Sequence, residues 1–334
     1  MKAAVYTHYG PPEVVHIAKV PTPSPTENEV LVRIHATTVN SADWRLRSAK
    51  VPRGFGLIIR LVFGITGPRQ PILGTELSGV VEATGAKVTR FRSGDAVFAF
   101  PGAKMRCHAE YRTMIETGNI LIKPDNLSFE QAAALSFGGT TALFFLRDQA
   151  KVKPGERVLI LGASGTVGSA AVQIAKQLGA DVIGVCSTAN LDLVRGLGAD
   201  AVIDYTAQDF TSSGATYDII MDCIGATTYA ATKSALARNG RYLPIAGGLP
   251  ELLGSLWPRK NGHKVMAGTG PERLSDLMLL ADWARDGTYT PLIDGTYPLD
   301  RIVAAHARVD TGRKRGSVVV TMPVTDLAPR QNAV

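Results

Sequence analysis

The sequence predicts an α/β protein in which a β-rich module is joined to a doubly wound parallel sheet, and three observations carry that prediction. Residues 158–161 (VLIL) form an unbroken apolar run, the pattern of a strand covered on both faces, and 180–186 (ADVIGVC) supply a second after an intervening helix. From Ser128 onward helix-like and strand-like stretches alternate, as in a doubly wound sheet. Before about residue 124 the chain reads instead as short strands with turn punctuation.

Taken in order, strands are expected at 30–36, 79–83 and 96–100, and Pro21, Pro23 and Pro25 mark an extended loop. Ser128 is a helix N-cap with Glu130 in the first turn. Strands follow at 202–204, 217–223, 240–246 and 264–268, with helices near 229–237, 273–286 and 302–306. The late run SVVVT at 317–321 is a strand that must find a sheet. Rejoining the first module is the simplest arrangement, which makes 126–268 an insertion between 1–125 and 269–334. Residues 323–334 read as a loose end.

The turn after residue 161 carries the chemistry. Ala163, Gly165 and Gly168 occupy a G-x-G-x-x-G spacing with Ala in first place, and Ser164, Thr166 and Val167 fill it. Small residues let the turn close, let backbone amides approach a pyrophosphate, and let the helix expected at 168–178 pack on the sheet. The helix start adds free amides and a positive dipole end.

Composition narrows the alternatives. The 334 residues suffice for two domains. Net charge is +7, with basic groups such as Arg45, Arg47, Lys50 and Arg53, or Arg313, Lys314 and Arg315, reading as solvated faces; no nucleic-acid motif accompanies them. Cys107, Cys186 and Cys223 are an odd, widely spaced trio that suits a reducing compartment. Residues 1–10 lack the apolar core of a secretory leader, and the apolar stretch 56–66 is short and contains Arg60, so neither a signal nor a membrane span is expected. A cytoplasmic location follows as an expectation, with no nucleic-acid or membrane partner.

The motifs VNSADWRLR (39–47), GPRQPILGTELSGVVEATG (67–85), GDAVFAF, HAEY (108–111), SFGGTTAL (136–143), KPGERVLILGASGTVG and GVCSTANLDLVRGLGADAVIDYT (184–206) resemble the zinc-independent, quinone-oxidoreductase-like branch of the medium-chain dehydrogenase/reductase superfamily. The resemblance covers nearly the whole chain. It implies a GroES-like catalytic domain, a Rossmann domain, and an active site in the cleft between them. Zinc-type relatives place a Cys in the segment matching VNSAD and a Gly-His-Glu where Gly74-Thr75-Glu76 stands here. A catalytic zinc needs three protein ligands, and Cys107 beside His108 on a strand would point to opposite faces, so no metal is expected.

An NAD site normally ends its second strand with a carboxylate, whereas here Cys186-Ser187-Thr188-Ala189-Asn190 offers none. Ser187 and Asn190 can donate to a 2′-phosphate and Tyr205 can add a bond, so NADP(H) is expected, although Ala189 stands where relatives often carry a cation. The resemblance also implies cofactor contacts at Thr140, Ile224 and Gly247, and an acceptor pocket lined by Asn40, Asp43 and Trp44. Asn40 either donates to a carbonyl or caps the turn; Thr140 either flanks the nicotinamide or caps a helix. Glu76 is either a buried anchor or a proton-path residue. The stretch 249–263, with several Leu and Trp257, suggests an apolar pocket wall. The expected activity is NADPH-dependent reduction of an enone, enal or quinone by a homodimer joined through the strand at 264–268. Metal-free alcohol dehydrogenation and a non-catalytic NADP-binding sensor are the alternatives.

Overall fold

The computed structural model describes residues 1–255, 257 and 259–323; the expected loose end lies almost wholly outside them, as do Leu256 and Pro258 of the expected pocket wall. The first part of the chain runs β1 (Lys2–Val5), β2 (His16–Lys19), β3 (Glu29–Val39), α1 (Ser41–Ser48), α2 (Gly56–Phe63), β4 (Leu77–Thr84), β5 (Ala96–Ala99), β6 (Tyr111–Ile115) and β7 (Ile120–Ile122). Then follow α3 (Phe129–Ala133), α4 (Ser136–Leu143), β8 (Arg157–Leu161), α5 (Thr166–Gln177), β9 (Asp181–Cys186), α6 (Leu191–Gly196), β10 (Ala201–Asp204), β11 (Tyr217–Asp222), α7 (Tyr229–Thr232), β12 (Leu236–Pro244), α8 (Leu249–Gly254), β13 (Lys264–Val265) and α9 (Leu274–Arg285). The chain closes on β14 (Ile293–Pro298), α10 (Ile302–Asp310) and β15 (Ser317–Thr321).

A six-stranded parallel sheet has the order β10-β9-β8-β11-β12-β13. Its inner strands are buried on both faces, which is why β8 and β9 read as continuous apolar runs. The second sheet has the order β14-β15-β3-β4-β5-β7, with β6 also on β3. The late strand does rejoin the first module: β15 pairs antiparallel with β3, Val318 opposite Val39. That register carries the lead-in to β15 alongside the end of β3, where Asn40 begins α1. Arg47 of α1, fully buried, donates twice to Asp310 of α10 at 2.6 and 2.7 Å and ties the two together.

Three local expectations change. The helix expected at 229–237 is a single turn, because the chain must straighten by Leu236 to pair in parallel with Tyr217 of β11; tertiary pairing overrides the local preference. The edge strand expected at 264–268 shortens to the two residues that pair with Arg241 and Tyr242. Cys107 and His108 lie not on a strand but in a loop after the left-handed Met105 and Arg106, and both are fully buried. Burial pushes the Cys107 thiol up to about 12, and the His108 ring bonds the Thr38 carbonyl at 2.9 Å.

The approach of α5 to the turn after β8 is a tight packing constraint. A Cβ on Gly168 would stand 2.1 Å from the Gly162 carbonyl oxygen, whereas one on Gly196, at the end of α6, would meet nothing within 4 Å. Gly168→Ala should therefore cost roughly 1–3 kcal/mol in denaturant titrations, and Gly196→Ala should leave stability unchanged or raise it by about 0.5 kcal/mol. Equal effects would contradict this packing.

Candidate active site

The glycine turn is built as its residue types require. Gly162 adopts φ +74°, a left-handed conformation that favours glycine, and the Gly162 and Ala163 amides donate to the Val185 carbonyl of β9. Gly165 is the N-cap of α5 and, having no side chain, leaves the first helical amides for a ligand. A Cβ there would meet only the Gly162 oxygen, at 3.4 Å, so the approach to these amides is open on that side. Thr166 and Val167 form the first turn of α5, which starts two residues before the expected position. A diphosphate fits this turn.

The returning segment lies directly on that turn. The Gly316 amide donates to the Ser164 carbonyl at 2.8 Å, and the Thr166 hydroxyl donates to the Gly316 carbonyl at 2.7 Å. Lys314 donates from Nζ to Thr166 Oγ1 and, at 2.8 Å, to the Gly316 carbonyl. Its hydrogen-bond acceptors are neutral, so burial lowers the ammonium to about 8. Lys314 is thus not a member of a solvated basic face: it brings a cation to the start of α5. Sequence reasoning missed it because only the pairing of β15 with β3 delivers it there.

At the opposite end of the turn, Asn190 Nδ2 donates to the hydroxyls of Ser164 and Ser187, both at 3.2 Å, which joins three of the expected cofactor residues. Tyr205 is 62% exposed and its amide bonds the Cys186 carbonyl. The expectation that no carboxylate stands here needs correction. β10 lies beside β9 and brings Asp204 to the Thr188 hydroxyl at 2.5 Å. Hydrogen bonds from Thr188 and Thr206 hold that carboxyl below its usual range. Ile224 is 58% exposed and covers Gly162; Gly247 closes a turn onto the Pro244 carbonyl. The loop carrying Ile224 is held by Asp222, which accepts from the Ile224, Gly225, Ala226 and Thr227 amides.

On the other side of the seam, Asn40 does cap α1: its Oδ1 accepts from the Ala42 and Asp43 amides. Its Nδ2 donates to Thr75 Oγ1 at 2.7 Å. In the two segments where the resemblance would place zinc ligands, an amide of Asn40 and a hydroxyl of Thr75 are thus bonded to each other, with Ser41 beside Asn40. Among the described residues no group of three or more His, Cys, Asp or Glu is placed to hold a metal. Asp43 is fully buried, and its two oxygens accept from the Asn40 and Gly74 amides, so it positions the loop and does not reach toward a substrate. Trp44 is half-buried against the first module's core. Thr140 sits within α4, with its hydroxyl on the Ser136 carbonyl at 2.8 Å, and so is not a helix-start cap.

Glu76 bridges the two units. It is fully buried, accepts from the Thr38 hydroxyl of β3, and accepts from the Phe137 amide of α4 at 2.7 Å. Burial raises its carboxyl to about 7, against the opposing pull of those hydrogen bonds. A groove of about 660 Å³ lined by Phe63, Arg69, Lys104, Arg112 and Glu272 among others is separate from all of these residues.

Two expectations follow from the buried ionisable groups. Lys314→Gln should weaken dinucleotide binding, read by calorimetry, at least about tenfold, and Lys314→Arg should restore most of it. Parent affinity should fall as pH rises through about 8, where Lys314 loses its proton, and the Arg variant should not show that fall. Because the Glu76 carboxyl is raised from 4.5 to about 7, ionisation in the unfolded chain removes stability as pH rises through that window. Glu76→Gln should abolish this loss, on the order of 3 kcal/mol, when melting is followed across it.

The comparisons with known proteins agree with this architecture. The alcohol dehydrogenase GroES-like domain family matches residues 26–152, and the zinc-binding dehydrogenase family matches residues 197–320. The chain is 30% identical to a 2-methylene-furan-3-one reductase of Solanum lycopersicum over 96% of its own length and 79% of that protein's. It is 29% identical to a chloroplastic NADPH-dependent alkenal/one oxidoreductase of Arabidopsis thaliana, with 96% and 79% covered. Among solved structures, a quinone oxidoreductase from Coxiella burnetii superposes with a TM-score of 0.85 at 28% identity, covering 97% of this chain and 99% of that one. Sequence motifs, sheet topology and these relatives together place the chain in the quinone-oxidoreductase-like branch of the medium-chain dehydrogenase/reductase superfamily, whose members use a nicotinamide cofactor.

Proposed function

We propose that this protein is a zinc-independent, NADPH-dependent reductase of small apolar acceptors, namely α,β-unsaturated ketones or aldehydes, or quinones. The observation that carries the reading is the convergence on one seam of the uncapped α5 start, the Lys314 cation laid across it, and the Asn40–Thr75 pair standing where a metal centre would need thiolate and imidazole. The relatives' names, an alkenal/one reductase, a furanone reductase and a quinone oxidoreductase, point the same way.

The bound nicotinamide supplies the hydride. The Thr166 and Val167 amides and Lys314 hold the diphosphate, and Ser187, Asn190 and Tyr205 meet the 2′-phosphate. Asp204, kept ionised by its bonds to Thr188 and Thr206, is the opposing charge that these donors must outweigh. Asn40 gives one of its two amide N–H donors to Thr75 and turns the other to the acceptor carbonyl. Trp44 and Thr140 line the acceptor end, and Glu76 holds a proton near neutrality at the seam. In this reading the described residues of 1–125 and 269–334 form the catalytic unit and those of 126–268 the nucleotide unit, in a cytoplasmic homodimer joined at the β13 edge.

The test is steady-state turnover with both cofactors against an enone, an enal, a quinone and a secondary alcohol. Enone, enal or quinone reduction preferring NADPH and untouched by chelators is expected; alcohol oxidation abolished by a chelator and restored by zinc would overturn the reading. Ser187→Asp should move the NADPH-to-NADH ratio of kcat/KM toward NADH at least about tenfold. An unchanged ratio would remove this loop from the 2′ position.

A further inference from the structure

The surface beside the seam carries a feature that the reductase reading does not use. α2 turns Ile59 and Phe63 inward and presents Leu57, Ile58, Leu61 and Val62 outward, with Ile65 just beyond its end. Those five side chains are 72%, 46%, 52%, 55% and 59% exposed, and the four on α2 have the spacing of one helical face. The helix is anchored at its C-terminal end: Tyr9 donates to the Gly64 carbonyl at 2.7 Å and Arg69 to the Val62 carbonyl at 3.0 Å. On the chain before α2, the Arg53 carbonyl accepts from the Leu249 amide of α8 at 2.8 Å, and beyond it Leu252, Leu253 and Trp257, expected from the sequence to wall a pocket, are exposed. Single exposed apolar residues are ordinary on a soluble protein, whereas four on one face of a helix mark a surface that meets a partner.

The charge around this face is one-sided. Residues 44–75 contain six Arg or Lys and no Asp or Glu. Arg47 is spent on Asp310, but Lys50, Arg53, Arg60 and Arg69 are exposed. The groove behind the end of α2 adds Lys104, Arg106 and Arg112 to Arg69, against Glu29 and Glu272. An amphipathic helix with an apolar face and an arginine-rich rim is the pattern of a segment that lies in the plane of a lipid interface. α2 is far too short to cross one.

We propose that this face is a docking surface for an anionic phospholipid bilayer. Leu57, Ile58, Leu61 and Val62 enter the boundary between headgroups and acyl chains, Trp257 sits at headgroup depth, and the surrounding arginines meet lipid phosphates. Charge selects this occupant over a second copy of the chain, because an isologous contact would press two cationic rims together. The proposal concerns binding alone and does not depend on the reaction assigned above.

The test is co-sedimentation of the full chain with vesicles of phosphatidylcholine, with and without phosphatidylglycerol, at low and high salt. Binding is expected only to the anionic vesicles, weakening with salt, with a blue shift of tryptophan emission that Trp257→Phe removes. Leu57→Glu combined with Leu61→Glu should abolish sedimentation, and Arg60→Glu should weaken it about tenfold or more. These side chains are exposed, so unchanged melting of both variants confirms that they fold. Failure of the parent to bind anionic vesicles, or equal binding to both vesicle types, would overturn the proposal. So would a fall in native mass on introducing Leu57→Glu and Leu61→Glu without any vesicle binding by the parent, since the face would then join copies of the chain.

Discussion

The structure depends on one contact, the docking of the returning segment 314–317 onto the glycine turn. Gly316 bonds Ser164, Thr166 bonds Gly316, and Lys314 spans both, so a chain that leaves the first module at α3 is pinned back to it at the glycine turn, the proposed dinucleotide site. The register of β15 on β3, with Val318 opposite Val39, puts Asn40 and the lead-in to β15 side by side, and that lead-in is the segment that meets the turn. The same register that completes a sheet assembles the cleft.

The seam has an electrostatic consequence. Glu76 and Lys314 both lie in it, and among the described residues neither forms a salt bridge. Burial moves the carboxyl up to about 7 and the ammonium down to about 8, so both titrate near neutrality. Two groups whose charges are weakly held in the free protein are suited to a site that receives a polyanion and handles a proton. Asp43, equally buried and likewise raised by burial, is committed to two backbone amides and serves to shape the Asn40 turn.

Much of this was legible in the sequence. The strand–turn–helix around Gly165 depends on local chemistry, small residues after an apolar run, and local chemistry is what a sequence displays. The return of 317–321 to the first sheet followed from a strand with no other place to go. Lys314 and Asp204 were not legible in the same way. Each reaches the site through a strand pairing, β15 on β3 and β10 on β9, although Asp204 directly precedes Tyr205, a residue the sequence had marked. Cys107 and His108 were misplaced because the left-handed Met105 and Arg106 break what alternation would have made a strand. The segment 56–66 was weighed only for its ability to span a bilayer; its exposed face emerges once Ile59 and Phe63 are seen to be the side that packs.

The claim on which the account rests is that the seam itself is the cofactor site, with Lys314 acting across the α5 start. A crystal structure of the protein grown with NADPH tests it most directly. The account predicts a diphosphate on the Thr166 and Val167 amides with Lys314 Nζ in hydrogen-bond contact, and the adenosine 2′-phosphate among Ser187, Asn190 and Tyr205. A diphosphate bound elsewhere, or Lys314 still turned onto Thr166 and Gly316 with the cofactor in place, would contradict it.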